Sequence, residues 1–180
     1  MPPRHSDNDK RRLHPAPDPI VLRNLAARVT YRGIAKHKAA PARFGLPPYT
    51  GPRGDESLCD DHASVEPEDM PDVRKWLVRG IDAGLIGHVE RAGVPTIVWT
   101  VSDHGWIFEA RVTNAGQAEY HGYPVRPSEA ITAMVIARFG GWANADGSEA
   151  DRRAVENCRL LYRIAGDVVY DRRSEIGSGR

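Results

Sequence analysis

A chain of 180 residues and 19.9 kDa, 41% apolar and 27% charged with mean hydropathy −0.50, can build one ordinary core, and wholesale disorder does not fit this composition. It lacks the run of roughly 20 apolar residues that a spanning helix needs, which excludes a membrane-embedded chain built of such helices. The net charge of +1 conceals an imbalance: residues 1–54 carry 11 Lys/Arg against 3 Asp/Glu, and residues 55–180 carry 14 against 21.

The basic third is dominated by arginine, whose planar fork suits phosphate better than the point charge of lysine, so it is a candidate anion-binding surface. The plainer reading is that it packs against the acidic remainder of the same chain. The opening Met1-Pro2-Pro3-Arg4-His5-Ser6-Asp7 lacks the apolar stretch of a secretory signal, and two cysteines cannot form a disulfide-dense scaffold. A cytoplasmic protein is therefore expected.

In chain order, residues 1–17 hold four prolines and one isolated leucine, and read as a disordered basic arm. Asp18-Pro19 supplies an N-cap and a first-turn proline, and Val21, Leu22, Leu25, Ala26 and Val29 recur at helical spacing, predicting a helix over 19–28. Tyr31–Ala35 reads as extended. From 36 to 65 neither helical nor strand period persists while prolines and glycines recur, so a long irregular loop is expected.

Pro67 opens a second helix with Val73, Trp76, Leu77 and Ile81 on one face and Gly84 as its stop. The period then changes to two over 96–102, 106–113 and 118–125, predicting a three-stranded antiparallel meander, with Gly105 and Gly116 expected to supply positive φ in its turns. Pro127-Ser128 starts a third helix carrying Ile131, Met134 and Val135 and ending at Gly140-Gly141. Ser148 and Asp151 form a capping box for a fourth, with Ala154, Val155, Cys158, Leu161, Tyr162 and Ala165 in register and Gly166 as its close. Val168–Tyr170 reads as a short strand and 171–180 as a frayed tail.

Strand alternation gathers Glu109, Arg111, His121 and Tyr123 on one polar sheet face, an inventory suited to an anionic substrate, although a half-exposed sheet has a solvated face in any case. Lys36-His37-Lys38 sets an imidazole between two cations, which favours its neutral, proton-accepting form. His37 as general base with His121 or Glu109 as the second proton-transfer group, and Lys36, Lys38, Arg43, Arg53 and Arg111 on the phosphate, would suffice for RNA cleavage without metal if the loop folds across that face. Plain electrostatic docking is the alternative. Cys59 and His62 have the spacing of half a zinc site, but the other half is missing; Asp55, Asp60 and Asp61 raise a magnesium alternative, and no metal or cofactor is expected. Trp99, Trp106 and Phe108 could serve as base-stacking surfaces or as core.

The stretch Tyr31-Arg32-Gly33…His37-Lys38…Pro41…Phe44-Gly45…Arg53-Gly54-Asp55…Leu58-Cys59-Asp60, with Tyr120-His121-Gly122-Tyr123-Pro124, resembles a pattern of small uncharacterised bacterial proteins over roughly residues 30–125. The resemblance implies a bacterial origin and a compact domain, and transfers no site. Helices followed by an antiparallel meander are also similar to the layout of barnase, EndoU and colicin-type ribonuclease toxins, an analogy of fold that does not imply function.

The expectation is an α+β domain over 18–143, with an antiparallel meander covered by helices on one face, and a C-terminal helix and tail over 144–180. Its function is expected to be RNA or polyanion binding through 31–54, with metal-independent ribonuclease activity as the enzymatic form. A non-enzymatic alternative uses the amphipathic helix within 148–165 for homodimerisation or a protein partner.

Overall fold

The computed structural model describes residues 10–53 and 58–176, and for 163–176 the backbone helix alone. Residues 1–9 of the expected arm, Asp55 and the last four residues of the expected tail lie outside the described residues.

Helix α1 (Pro19–Arg28) begins where Asp18 accepts the Ile20 backbone N–H at 2.7 Å, and the Arg74 guanidinium binds the Val29 carbonyl oxygen at 3.0 Å beyond its end. Strand β1 (Thr30–Tyr31) follows, then two 3₁₀ turns at Ala35–His37 and Pro41–Phe44. After the one-turn helix α2 (Cys59–His62), a 3₁₀ turn at Pro67–Asp69 leads into α3 (Met70–Asp82). Gly84, at φ 69°, terminates it.

A small hairpin, β2 (Glu90–Arg91) with β3 (Val94–Pro95), precedes the main strands β4 (Ile97–Val101), β5 (Ile107–Asn114) and β6 (Glu119–Pro124). The fold is α+β. Its four-stranded sheet has the order β1-β6-β5-β4, and because β1 pairs with β6 in parallel at Thr30↔Glu119 and Tyr31↔Tyr120, the sheet is mixed. Gly105 turns β4 into β5 at φ 90°, but in the β5–β6 turn Ala118, at φ 47°, takes the left-handed position expected of Gly116, next to a register shift between Val112 and Asn114.

Helices cover both faces of the sheet. Leu22 and Leu25 of α1 and Leu77 and Ile81 of α3 pack with Val98, Ala110 and Tyr120 on one face. On the other, Trp99, Val101 and Ile107 pack with α4 (Ile131–Ala145) and α5 (Glu149–Ile176). Helix α4 continues through Gly140 and Gly141, since Gly140 lets Arg159 and Val155 of α5 approach closely, and Met134 is left exposed. The backbone N–H and hydroxyl of Ser148 both reach the Asp151 carboxylate at 2.7 Å and cap α5. This helix runs on past Gly166 and through 168–170, where a strand was expected.

Three further expectations are corrected. The meander has helices on two faces, because Trp99, Val101 and Ile107 make the second face half apolar. Ala154, Val155, Cys158 and Tyr162 are buried in that core with Leu161 packed against it, so these five residues, expected to have an exposed part, pack within the chain. Residues 10–17 do not form a disordered arm: the His14 N–H donates to the Ile86 carbonyl at 2.8 Å, the His88 N–H donates to Arg12 at 3.1 Å, and Arg138 binds the His14 carbonyl at 2.6 Å. Backbone pairing of this kind needs no apolar side chains, which is why composition misjudged the segment.

Candidate functional site at the polar sheet face

The register of the central strands builds the site. Glu109 lies opposite Tyr123, and Arg111 opposite His121, so four polar side chains share one face beyond its apolar half. Glu109 itself is completely buried. Its Oε2 accepts from Arg11 Nε at 2.7 Å and Trp99 Nε1 at 3.1 Å; its Oε1 accepts from the Tyr123 hydroxyl at 2.6 Å and Arg111 Nε at 2.9 Å. Arg11 also binds Glu129 at 2.6 Å.

A carboxylate offers about four lone-pair positions, and four donors engage this one. Glu109 is therefore a structural hub rather than the proton-transfer group expected from sequence. Burial, followed by the adjacent Glu109 carboxylate, pushes the Tyr123 phenol well above its ordinary value, keeping it protonated as a donor.

The irregular segment folds over the edge of β6. β1 pairs with residues 119 and 120 of β6, and further along the strand the Cys59 thiol reaches the Gly122 carbonyl. The Asp60 carboxylate at the start of α2 holds the segment by accepting the backbone N–H groups of Ala39 at 2.7 Å and Ala40 at 2.8 Å. His37 then stacks on His121, with ring centroids 5.5 Å apart and planes at 10°, and lies 5.0 Å from the Tyr123 ring. The Thr113 hydroxyl meets His121 Nδ1 at 2.8 Å, fixing the ring. Burial, then the positive charges of Arg111 and Lys36, hold the His121 pKa below its ordinary value. The imidazole is thus neutral at neutral pH and suited to accepting a proton.

The other expected site residues divide. Arg111 stands opposite His121 in the strand pairing and Lys36 precedes His37 in the chain, and both charges act on His121. Lys38 is 1% exposed, with its ammonium 4.3 Å from the Phe44 ring, so burial removes it from any phosphate surface. Arg43 forms an exposed ion pair with Glu66, and Arg53 lies over the Tyr49 ring at 5.6 Å; neither contact joins them to the histidine pair. Cys59 and His62 diverge: the Cys59 thiol is buried and donates to the Gly122 carbonyl at 3.4 Å, while His62 Nδ1 accepts the Leu58 N–H at 2.7 Å. No group of three potential metal-ligating residues occurs among the described residues. Trp99 and Phe108 are buried, which removes them as base-stacking surfaces.

Sequence reasoning missed Arg11 and Thr113 as builders of the site. Alternation along β5 already set Thr113 on this face, but no local pattern could link Arg11 to a carboxylate 98 residues away. No helix among the described residues is long and apolar enough to cross a membrane. Comparisons of this chain with protein-family models, with curated proteins and with solved structures find no match.

Proposed function

We propose that the protein binds RNA, or a chemically similar phosphodiester polyanion, across the polar sheet face, and that it is a metal-independent ribonuclease of the bacterial cytoplasm. The observation that carries this reading is the His37–His121 stack, with the charges of Arg111 and Lys36 acting on His121. Cations beside a neutral imidazole attract a phosphodiester and leave the ring able to accept a ribose 2′-hydroxyl proton. In this reading His121 is the base that takes the 2′-hydroxyl proton, a role its lowered pKa favours over the acid role read from sequence, and His37, starting in its protonated form, gives its own proton to the leaving oxygen. Arg111, held in orientation by Glu109 and Tyr123, stabilises charge on the phosphorane.

The test is fluorescence-anisotropy titration of a mixed-sequence single-stranded RNA across a salt series, followed by cleavage assays in EDTA. Binding that weakens steeply with salt and is lost in the Lys36→Ala/Arg111→Ala variant, with cleavage abolished by His121→Ala, is the expected result. Absence of binding at low salt would overturn the proposal, and undiminished cleavage by His121→Ala would remove its catalytic part.

A further inference from the structure

On the opposite side of β6 from the histidine pair lies a small cavity of about 30 Å³. Its wall is largely apolar and aromatic, with Met70, Trp76 and Phe108 prominent, and Tyr31, Lys38, Cys59 and Thr100 bring the polar side chains. His37 and Lys38, adjacent in sequence, straddle the strand edge so that the imidazole lies on one side and the ammonium on the other.

The ammonium is the anomaly. Lysine is almost never fully buried unless paired, since removing the charge from water costs several kcal/mol. Lys38 is 1% exposed, and its contacts are the Phe44 ring at 4.3 Å and the Cys59 sulfur; among the described residues it bonds no oxygen. Asp60 acts on it through space only, with its oxygens committed to the N–H groups of Ala39 and Ala40. Nor does the thiol supply a counter-charge, because burial pushes the Cys59 pKa up to about 11. A buried cation whose neighbours are a sulfur, an aromatic ring and a carboxylate acting through space thus lines a largely apolar cavity.

We propose that this cavity binds a small apolar carboxylate, its head group on the Lys38 ammonium and its hydrocarbon body along Met70, Trp76 and Phe108. The carboxylate supplies a counter-charge and oxygen acceptors in direct contact, where the protein offers a sulfur and a more distant Asp60, and the hydrocarbon matches the wall. Because the cavity is small, the body enters it only as the unbranched Met70 side chain yields to it. The site is distinct from the RNA-binding face and does not depend on it.

The probe is hexanoate, titrated into the full-length protein with Trp76 fluorescence as the readout and isothermal calorimetry as confirmation, alongside hexan-1-ol as the uncharged analogue. The expected result is a hexanoate Kd at or below about 1 mM, with hexan-1-ol at least about tenfold weaker. Lys38→Met, which keeps the volume and removes the charge, is expected to weaken hexanoate by about tenfold or more while leaving hexan-1-ol unchanged. No hexanoate binding to the wild-type protein, or equal binding of acid and alcohol, overturns the proposal. Undiminished hexanoate binding by a folded Lys38→Met variant overturns it as well; should that variant not fold, the acid-to-alcohol ratio in the wild type decides the matter.

Discussion

Replacing Glu109 by Gln tests the central network. The substitution preserves shape but removes the charge and turns one acceptor oxygen into a donor, facing either Arg11 and Trp99 or Arg111 and Tyr123. Removing one partner from a buried ion pair typically costs about 3–5 kcal/mol. Two features lower that figure here: the Arg11 and Arg111 side chains are 20% and 36% exposed, so solvent recovers part of their hydration, and Glu129 continues to bind Arg11. We expect a loss of about 2–4 kcal/mol, equivalent to a Tm lowered by roughly 5–15 °C for a chain of this size. Urea unfolding followed by tryptophan fluorescence, with Trp99 inside the network as reporter, measures it. An Arg11→Met/Glu109→Gln double-mutant cycle should add a coupling energy above about 1 kcal/mol. A loss below about 1 kcal/mol with no coupling would refute the view that this carboxylate organises the face.

Three further predictions follow from individual contacts. Gly80→Ala, which would gain about 1 kcal/mol in an exposed helix, should destabilise α3 by more than that gain, because the added carbon would run into the Trp99 carbonyl oxygen and come within 2.8 Å of Thr100 Cβ; a raised Tm would contradict this. Asp60→Asn should cost about 1–3 kcal/mol, since the amide can accept from only one of the Ala39 and Ala40 N–H groups. Burial pushes the Asp60 carboxyl up, but those two hydrogen bonds outweigh it and hold its pKa low, so its contribution is present above the ordinary value of about 3.9 and is lost as pH falls through the lowered folded value. Paired acid-unfolding curves should therefore converge only at that acidic end. For His121 the folded pKa is likewise depressed, by burial first and then by Arg111 and Lys36, so the unfolded state takes up its proton first. The penalty is absent above the ordinary His value of about 6.5 and grows as pH falls below it; His121→Gln should flatten the stability profile there, and an NMR titration of His121 at or above 6.5 would contradict the reasoning.

Local regularity was legible in the sequence wherever neighbouring residues determine it. The Asp18-Pro19 start of α1, the apolar face of α3 carrying Trp76, Leu77 and Ile81, the Ser148–Asp151 cap and the grouping of Glu109, Arg111, His121 and Tyr123 all follow from spacing and capping chemistry. Only the tertiary structure decided what covers each face. Alternation shows that Glu109 and Arg111 share a side, but not that Arg11 and Trp99 enclose the carboxylate, because that contact crosses 98 residues and rests on charge. Helical period shows that α5 is amphipathic, but not that its apolar stripe is filled by Trp99, Ile107 and α4. Nor could a segment without period reveal that Asp60 holds it beside β6 with His37 on one side and Lys38 on the other. Secondary structure is set by interactions a few residues apart, whereas the burial of charge depends on which distant surfaces meet.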